Sequence, residues 1–132
     1  MKPITIGIVA RQAGVNVETV RFYEREKLIE KPPRRGSGYR QYPEETVARI
    51  RFIRRAKELG FSLNEIKELL ELRASPRTPC GEVRRCAEEK IQDIEKKLRD
   101  LRRMKKALTQ LAAACVGGGP AAQCPILDAM ET

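Results

Sequence analysis

The chain carries four cysteines and no histidine in 132 residues, and those two facts narrow its possible chemistry. Without imidazole there is no Ser-His or Cys-His nucleophile pair and no zinc site that needs histidine. No Cys-x-x-Cys pair is present for thiol redox work, so the cysteines are expected to bind rather than to catalyse, and the chain is not expected to be an enzyme. Cys80 stands at the head of a long stretch with helical periodicity, and the segment Cys115-Val-Gly-Gly-Gly-Pro-Ala-Ala-Gln-Cys124 follows it. At a helix start, Cys80 meets exposed N–H groups and the positive end of the dipole, which favour thiolate. Three thiolates without imidazole make a soft site suited to Hg(II), Cd(II) or Pb(II). Cys86 points to another face of the same helix and is expected to pack rather than to ligate.

The elements that must position these thiols follow from the pattern between them. Ala87, Ile91, Ile94, Leu98, Leu101, Leu108 and Ala112 recur three and four apart, except where Lys105 interrupts, and the same stripe continues to Cys115. This is a heptad seam. A helix of roughly 33 residues is about 50 Å long, so Cys80 and Cys115 of one chain cannot reach a common atom. Two such helices packed antiparallel would bring Cys80 of each to Cys115 and Cys124 of the other. The expectation is a symmetric homodimer with two thiol sites, each shared between chains.

The net charge of +9 is unevenly spread: residues 1–60 carry 14 Lys and Arg against 7 acids, and residues 61–132 carry 13 against 11. The first part is therefore suited to a polyanion, with nucleic acid the leading candidate. Ile4 to Ile8 is short and β-prone and leads into a helical pattern over Val9, Ala10 and Ala13 that Gly14 stops. Asn16 is placed to cap a second helix from Val17 to about Lys27, giving a helix-turn-helix. Its polar positions Glu18, Thr19, Arg21, Tyr23 and Arg25 would face a major groove, while Val20 and Leu28 face the core. After Pro32-Pro33, the run Arg34-Arg35-Gly36-Ser37-Gly38-Tyr39-Arg40-Gln41-Tyr42 reads as a hairpin wing with a positive tip, its arginines placed to neutralise phosphates. A third helix opens at Pro43 with Val47, Ile50, Ile53, Ala56 and Leu59 as its buried face and ends at Gly60. Arg49, Arg51, Arg54 and Arg55 on that helix read mostly as solvated. Ser62 to Glu65 is a capping box for a fourth helix, Leu63 to about Leu72.

The fold class expected is mainly α: a winged helix-turn-helix DNA-binding head followed by a long dimerisation helix that forms an antiparallel coiled coil. Residues 1–72 make the head with its bridging helix, 73–79 a linker, 80–114 the dimerisation helix, and 115–132 a metal-binding loop and a closing helical turn. No apolar run approaches the roughly 18 residues of a membrane span, and no signal-peptide block opens the chain, so a cytoplasmic protein without membrane partners is expected.

Together these residues resemble the MerR family of bacterial transcription regulators, specifically its mercury-responsive branch. The resemblance is carried by Val17-Glu18-Thr19-Val20-Arg21-Phe22-Tyr23-Glu24, Gly38-Tyr39-Arg40-Gln41-Tyr42, Leu59-Gly60-Phe61-Ser62-Leu63-Asn64-Glu65-Ile66 and the three cysteines with Pro125-Ile126-Leu127. It implies a homodimer on double-stranded promoter DNA that represses without metal. With Hg(II) bound by Cys80 of one subunit and Cys115 and Cys124 of the other, it underwinds and bends the DNA so that RNA polymerase can start. Lead- and cadmium-sensing relatives share a similar plan, so Pb(II) or Cd(II) is the alternative effector. Carried over residue by residue, Arg21 and Tyr23 would contact DNA from the recognition helix, and Arg34, Arg35, Tyr39 and Arg40 from the wing.

Overall fold

The computed structural model describes residues 4–32 and 41–131. Its elements are α1 (Ile6–Ala13), α2 (Val17–Arg25), α3 (Glu45–Glu58), α4 (Leu63–Ala74), α5 (Cys80–Ala113), a 3-10 turn (Ala121–Gln123) and α6 (Pro125–Met130). The chain divides into two compact units, Met1–Val83 and Arg84–Thr132, with the division in the first turn of α5. No described helix is long and apolar enough to cross a membrane.

The first unit closes around one apolar core. Val9, Ala10 and Ala13 of α1, Val20 and Tyr23 of α2, Val47, Ile50, Ile53 and Ala56 of α3, and Ile66 and Leu70 of α4 meet there with Leu28, Ile29 and Tyr42. The expected strand over Ile4 to Ile8 shrinks to a single antiparallel bridge between Ile4 and Tyr42, because α1 has already begun at Ile6. Leu59, expected on the buried face of α3, is 48% exposed. The helix stops at Glu58, and the turn that follows carries Leu59 outward. There Gly60 has φ 95° and its N–H bonds to the Lys57 carbonyl, while the Phe61 N–H reaches back to Ala56. This is a Schellman closure, in which a left-handed residue lets two late N–H groups satisfy carbonyls the helix leaves open.

The same closure ends α1 and α2. At α1, Gly14 has φ 74° with its N–H on the Arg11 carbonyl and the Val15 N–H on Ala10. At α2, Lys27 takes the left-handed position at φ 61°, an uncommon conformation for a residue with a Cβ. Two N-caps also match the sequence reading. The Asn16 side chain accepts from the Thr19 N–H at 2.8 Å. Ser62 and Glu65 form a reciprocal capping box, with Glu65 accepting from the Ser62 N–H at 2.8 Å and Ser62 from the Glu65 N–H at 3.2 Å.

The arginines of α3 are exposed, as expected, and three of the four also bond to backbone carbonyls. Arg54 donates to the Ala13 carbonyl at 2.9 Å, Arg51 to Gln12 at 2.8 Å, and Arg49 to Leu28 at 2.8 Å. They place positive charge on the open carbonyls at the end of α1 and beyond the end of α2, where the helix dipoles are negative. Arg55, exposed like the other three, pairs instead with Glu58 at 3.2 Å. A Cβ on Gly14 would strain its left-handed backbone and, standing 2.8 Å from the Arg54 guanidinium, would push the end of that side chain aside. Gly14→Ala is therefore expected to lower the stability of the chain by about 1–2 kcal/mol from the backbone term alone. Urea unfolding followed by circular dichroism measures it, and an unchanged midpoint would show that the turn relaxes without cost.

Candidate metal centre and nucleic-acid interface

α5, all but its first turn in the second unit, runs unbroken for 34 residues, about 50 Å at 1.5 Å per residue. Glu88, Glu89, Asp93 and Asp100 pair with basic residues three or four away on the helix surface, which suits a solvated face. On the remaining stripe, Ile91, Ile94, Leu98, Leu101 and Leu108 are each between 40% and 57% exposed. Cys86 and Lys90 are buried, and the Arg85 guanidinium lies 3.9 Å from the Cys86 sulfur.

Beyond α5 the chain turns through Gly117 and Gly119, both with positive φ, and α6 begins with Pro125 at its first turn. This brings Cys124 near enough to Cys115 for that thiol to help lower its pKa. Cys115 is also fixed from below, its sulfur accepting from the Gly117 N–H at 3.3 Å. The Cys124 sulfur lies before the first amides of α6. It makes no capping bond of full geometry, yet the N–H of Ile126 first, then that of Leu127 and the Cys115 thiol, hold its pKa below the ordinary thiol value. Partial burial and the Asp128 carboxylate act in the opposite direction. Two half-buried thiols, one biased towards thiolate, suit a soft metal ion. Cys80, at the first position of α5, is exposed. Among the described residues of one chain, no group of three or more Cys, Asp or Glu side chains is placed to hold a metal.

In the first unit, α2 presents a mixed surface, with Arg21 and Arg25 set among Glu18 and Glu24. Arg21 is exposed and pairs with Glu18 at 3.2 Å, and the Arg25 guanidinium lies over the Phe22 ring at 5.9 Å. Arg21, Arg25 and Lys31 line one shallow groove with Glu24, and Lys27, Lys31 and Arg49 line a second. Thr19 is half-buried and its hydroxyl donates to Asn16 at 2.9 Å, so it is held at the start of the helix. Tyr23 requires a correction. It was expected on the groove-facing side, but it is 3% exposed and packs in the core three residues from Val20. Burial raises its phenol pKa against a smaller opposing effect from Arg54. Tyr23 holds α2 in place rather than projecting from it. Arg34, Arg35, Tyr39 and Arg40, the expected wing contacts, lie outside the described residues.

Sequence reasoning missed the tie between α2 and Tyr42. Tyr42 is fully buried, and its hydroxyl donates to Glu24 at 2.6 Å. The other Glu24 oxygen is buried and has no hydrogen-bond partner among the described residues. The one available signal was a carboxylate among the arginines of an amphipathic helix, which equally fits a surface ion pair.

The described geometry has close relatives. A model of the MerR HTH family regulatory proteins matches residues 4–72, and a second model, MerR, DNA binding, matches residues 47–111. A mercuric resistance operon regulatory protein of Serratia marcescens is 42% identical, over 99% of this chain and 90% of its own length. The lead(II)-bound transcription regulator PbrR691 of Ralstonia metallidurans superposes with a TM-score of 0.86 at 35% identity, covering 96% of this chain and 98% of that one. A mercury(II)-bound dual-function transcriptional regulator MerR of Bacillus megaterium superposes at 0.74 and 36% identity, covering 98% and 100%.

The position of Cys124 has a measurable consequence. Because the lowered pKa puts thiolate at lower pH, the iodoacetamide rate at Cys124 should reach its half-maximum below the 9.0 of an ordinary thiol. Peptide mass spectrometry resolves Cys124 from the other thiols, and a midpoint at or above that value would remove the influence of the α6 amides.

Proposed function

The chain belongs to the MerR family of HTH regulatory proteins, a family of transcription regulators and not of enzymes, and from that premise we propose that it is a mercury-responsive regulator of promoter DNA. Two chains form a homodimer through α5. Each dimer holds two soft-metal sites, built from Cys80 of one chain with Cys115 and Cys124 of the other. The dimer represses its promoter without metal. When Hg(II) binds, the dimer distorts the DNA so that RNA polymerase can start. The protein acts in the cytoplasm, without membrane partners.

One observation carries this reading. A single chain pairs only Cys115 with Cys124, and 34 residues of helix begin at Cys80 and end just before Cys115. A third thiolate has to come from another molecule, and the exposed apolar stripe of α5 is the surface on which a second copy would dock. The identity of the effector is supported by the mercuric resistance relative and by the chemistry of three thiolates without imidazole. The likeness to the lead-bound regulator supports the second reading, in which Pb(II) or Cd(II) is the effector on the same site. Bound metal would add only attraction between thiolates of two chains; the chain's own contribution is to hold two thiols together and present the third at a fixed distance.

For DNA, Thr19 and Arg21 are the contacts we propose from α2, and Arg34, Arg35, Tyr39 and Arg40 those from the wing. The output is a change of DNA shape, which needs no new base contact when metal arrives.

Mixing a Cys80→Ser chain with a Cys115→Ser/Cys124→Ser chain tests the shared site. Each homodimer lacks a complete site, whereas the mixed dimer has one, so metal-induced transcription in vitro should return only in the mixture. Equal output from all three would sink the shared-site reading, and the same assay run with Hg(II), Cd(II), Pb(II) and Zn(II) ranks the effectors. Arg21→Ala, which removes one contact from each chain of the dimer, should weaken operator binding and reduce the slope of log affinity against log salt by about 2. An unchanged slope takes Arg21 off the contact surface.

A further inference from the structure

One charged residue interrupts the apolar stripe of α5. Lys105 is exposed and falls where the next apolar residue is due, four residues after Leu101 and three before Leu108. Its position is fixed by an intact helix, in which its carbonyl accepts from the Thr109 hydroxyl at 2.7 Å. A cation on a helix seam is costly once the seam is covered, unless the covering surface leaves room for its stem and supplies an opposite charge.

The charge along α5 is split. Cys80 to Glu95 holds five acids and three bases, and Lys96 to Ala113 holds seven bases and one acid. A parallel pair would set basic half against basic half, Lys105 against Lys105 and Ala87 against Ala87. That leaves two ammonium groups together on the seam and two small side chains facing each other at Ala87. An antiparallel pair sets the basic half of each helix against the acidic half of the other. In the heptad register that places Ile94 opposite the partner's Leu98, Ile91 stands opposite the partner's Leu101 and Cys80 opposite the partner's Ala112, one turn from the partner's Cys115. In that same register Lys105 stands opposite the partner's Ala87, a small residue on the stripe. Beside Ala87 is Glu88, whose side chain is 57% exposed and pairs with Arg84 at 2.7 Å on the surface.

We infer that Lys105 fixes the direction and register of the α5 pair, its stem covering the partner's Ala87 and its ammonium pairing with the partner's Glu88. The inference rests on the homodimer proposed above and adds the residue that chooses among its possible arrangements. A single polar residue on a coiled-coil seam lowers stability and excludes alternative pairings, because each alternative leaves it buried without a partner.

The test uses the full chain carrying Cys86→Ser and Cys124→Ser, so that mild oxidation can join only Cys80 and Cys115. With Lys105 present, the interchain product should be Cys80 to Cys115, identified by peptide mass spectrometry. Lys105→Leu should melt at higher temperature and yield Cys80 to Cys80 and Cys115 to Cys115 products, or particles heavier than a dimer by light scattering. Lys105→Glu should weaken the dimer roughly tenfold, and adding Glu88→Lys to the same chain should restore it. A Lys105→Leu chain that keeps the single product and the dimer mass overturns the inference, as does a failure of Glu88→Lys to rescue Lys105→Glu. A parent chain that sediments as a monomer overturns the homodimer itself, so the two failures are told apart.

Discussion

An α-helix cannot keep a continuous apolar stripe in water at no cost, and α5 has such a stripe along most of its length. Covering one Leu or Ile fully contributes about 1.5–3 kcal/mol. For the half-exposed residues of two such helices the gain is on the order of 10 kcal/mol, similar to the roughly 4–15 kcal/mol lost in freedom when two chains associate. Apolar burial alone thus brings the pair near balance. In the proposed dimer, smaller terms would then decide the direction and register of pairing: a split of charge along the helix, one lysine on the seam, and the proposed metal-binding thiols at either end.

The head solves a different problem. Its core is small, and three of its helices end in open carbonyls that must be satisfied near a surface built for a polyanion. Arginines meet both needs. Arg49, Arg51 and Arg54 bond to carbonyls at the ends of α1 and beyond α2, so the same charges that hold the turn also add to the positive field around it. This differs from Arg21 and Arg25, which stand on the exposed side of α2 and line its groove. Net charge counts the two sets alike, yet removing one from the first set leaves a carbonyl without its donor, and removing one from the second leaves the fold unchanged.

Much of this was legible in the residues. Gly14, Asn16, Gly60 and the Ser62–Glu65 box mark helix ends because each supplies a conformation or acceptor that the helix backbone lacks, and local chemistry of that kind needs no knowledge of the rest of the fold. The helix carrying the cysteines was legible because its apolar period runs for many turns. The roles of Tyr23 and the α3 arginines were not. A tyrosine on an amphipathic helix can face either way, and only the packing of Val20, Ile50 and Ile53 turns it inward. Likewise, an arginine's carbonyl partner some forty residues away in sequence is a tertiary fact, with nothing in its neighbours to announce it. Leu59 misled for a related reason: it continues the period of α3 one position beyond the point where the backbone leaves the helix.

The turn through Gly117 and Gly119 has a kinetic side. It joins Cys115 to Cys124 by a short loop, and the loss of entropy in closing such a loop grows only slowly with its length. One thiol therefore meets the other at an effective concentration in the millimolar range or above, whatever the concentration of protein. In the proposed site, an ion that loses one of these two sulfurs is recaptured by the same chain before it diffuses away, while the third sulfur depends on a second molecule staying in register. Capture and readout are thereby assigned to different parts of the assembly. The loop retains the ion, and the helix pair reports it.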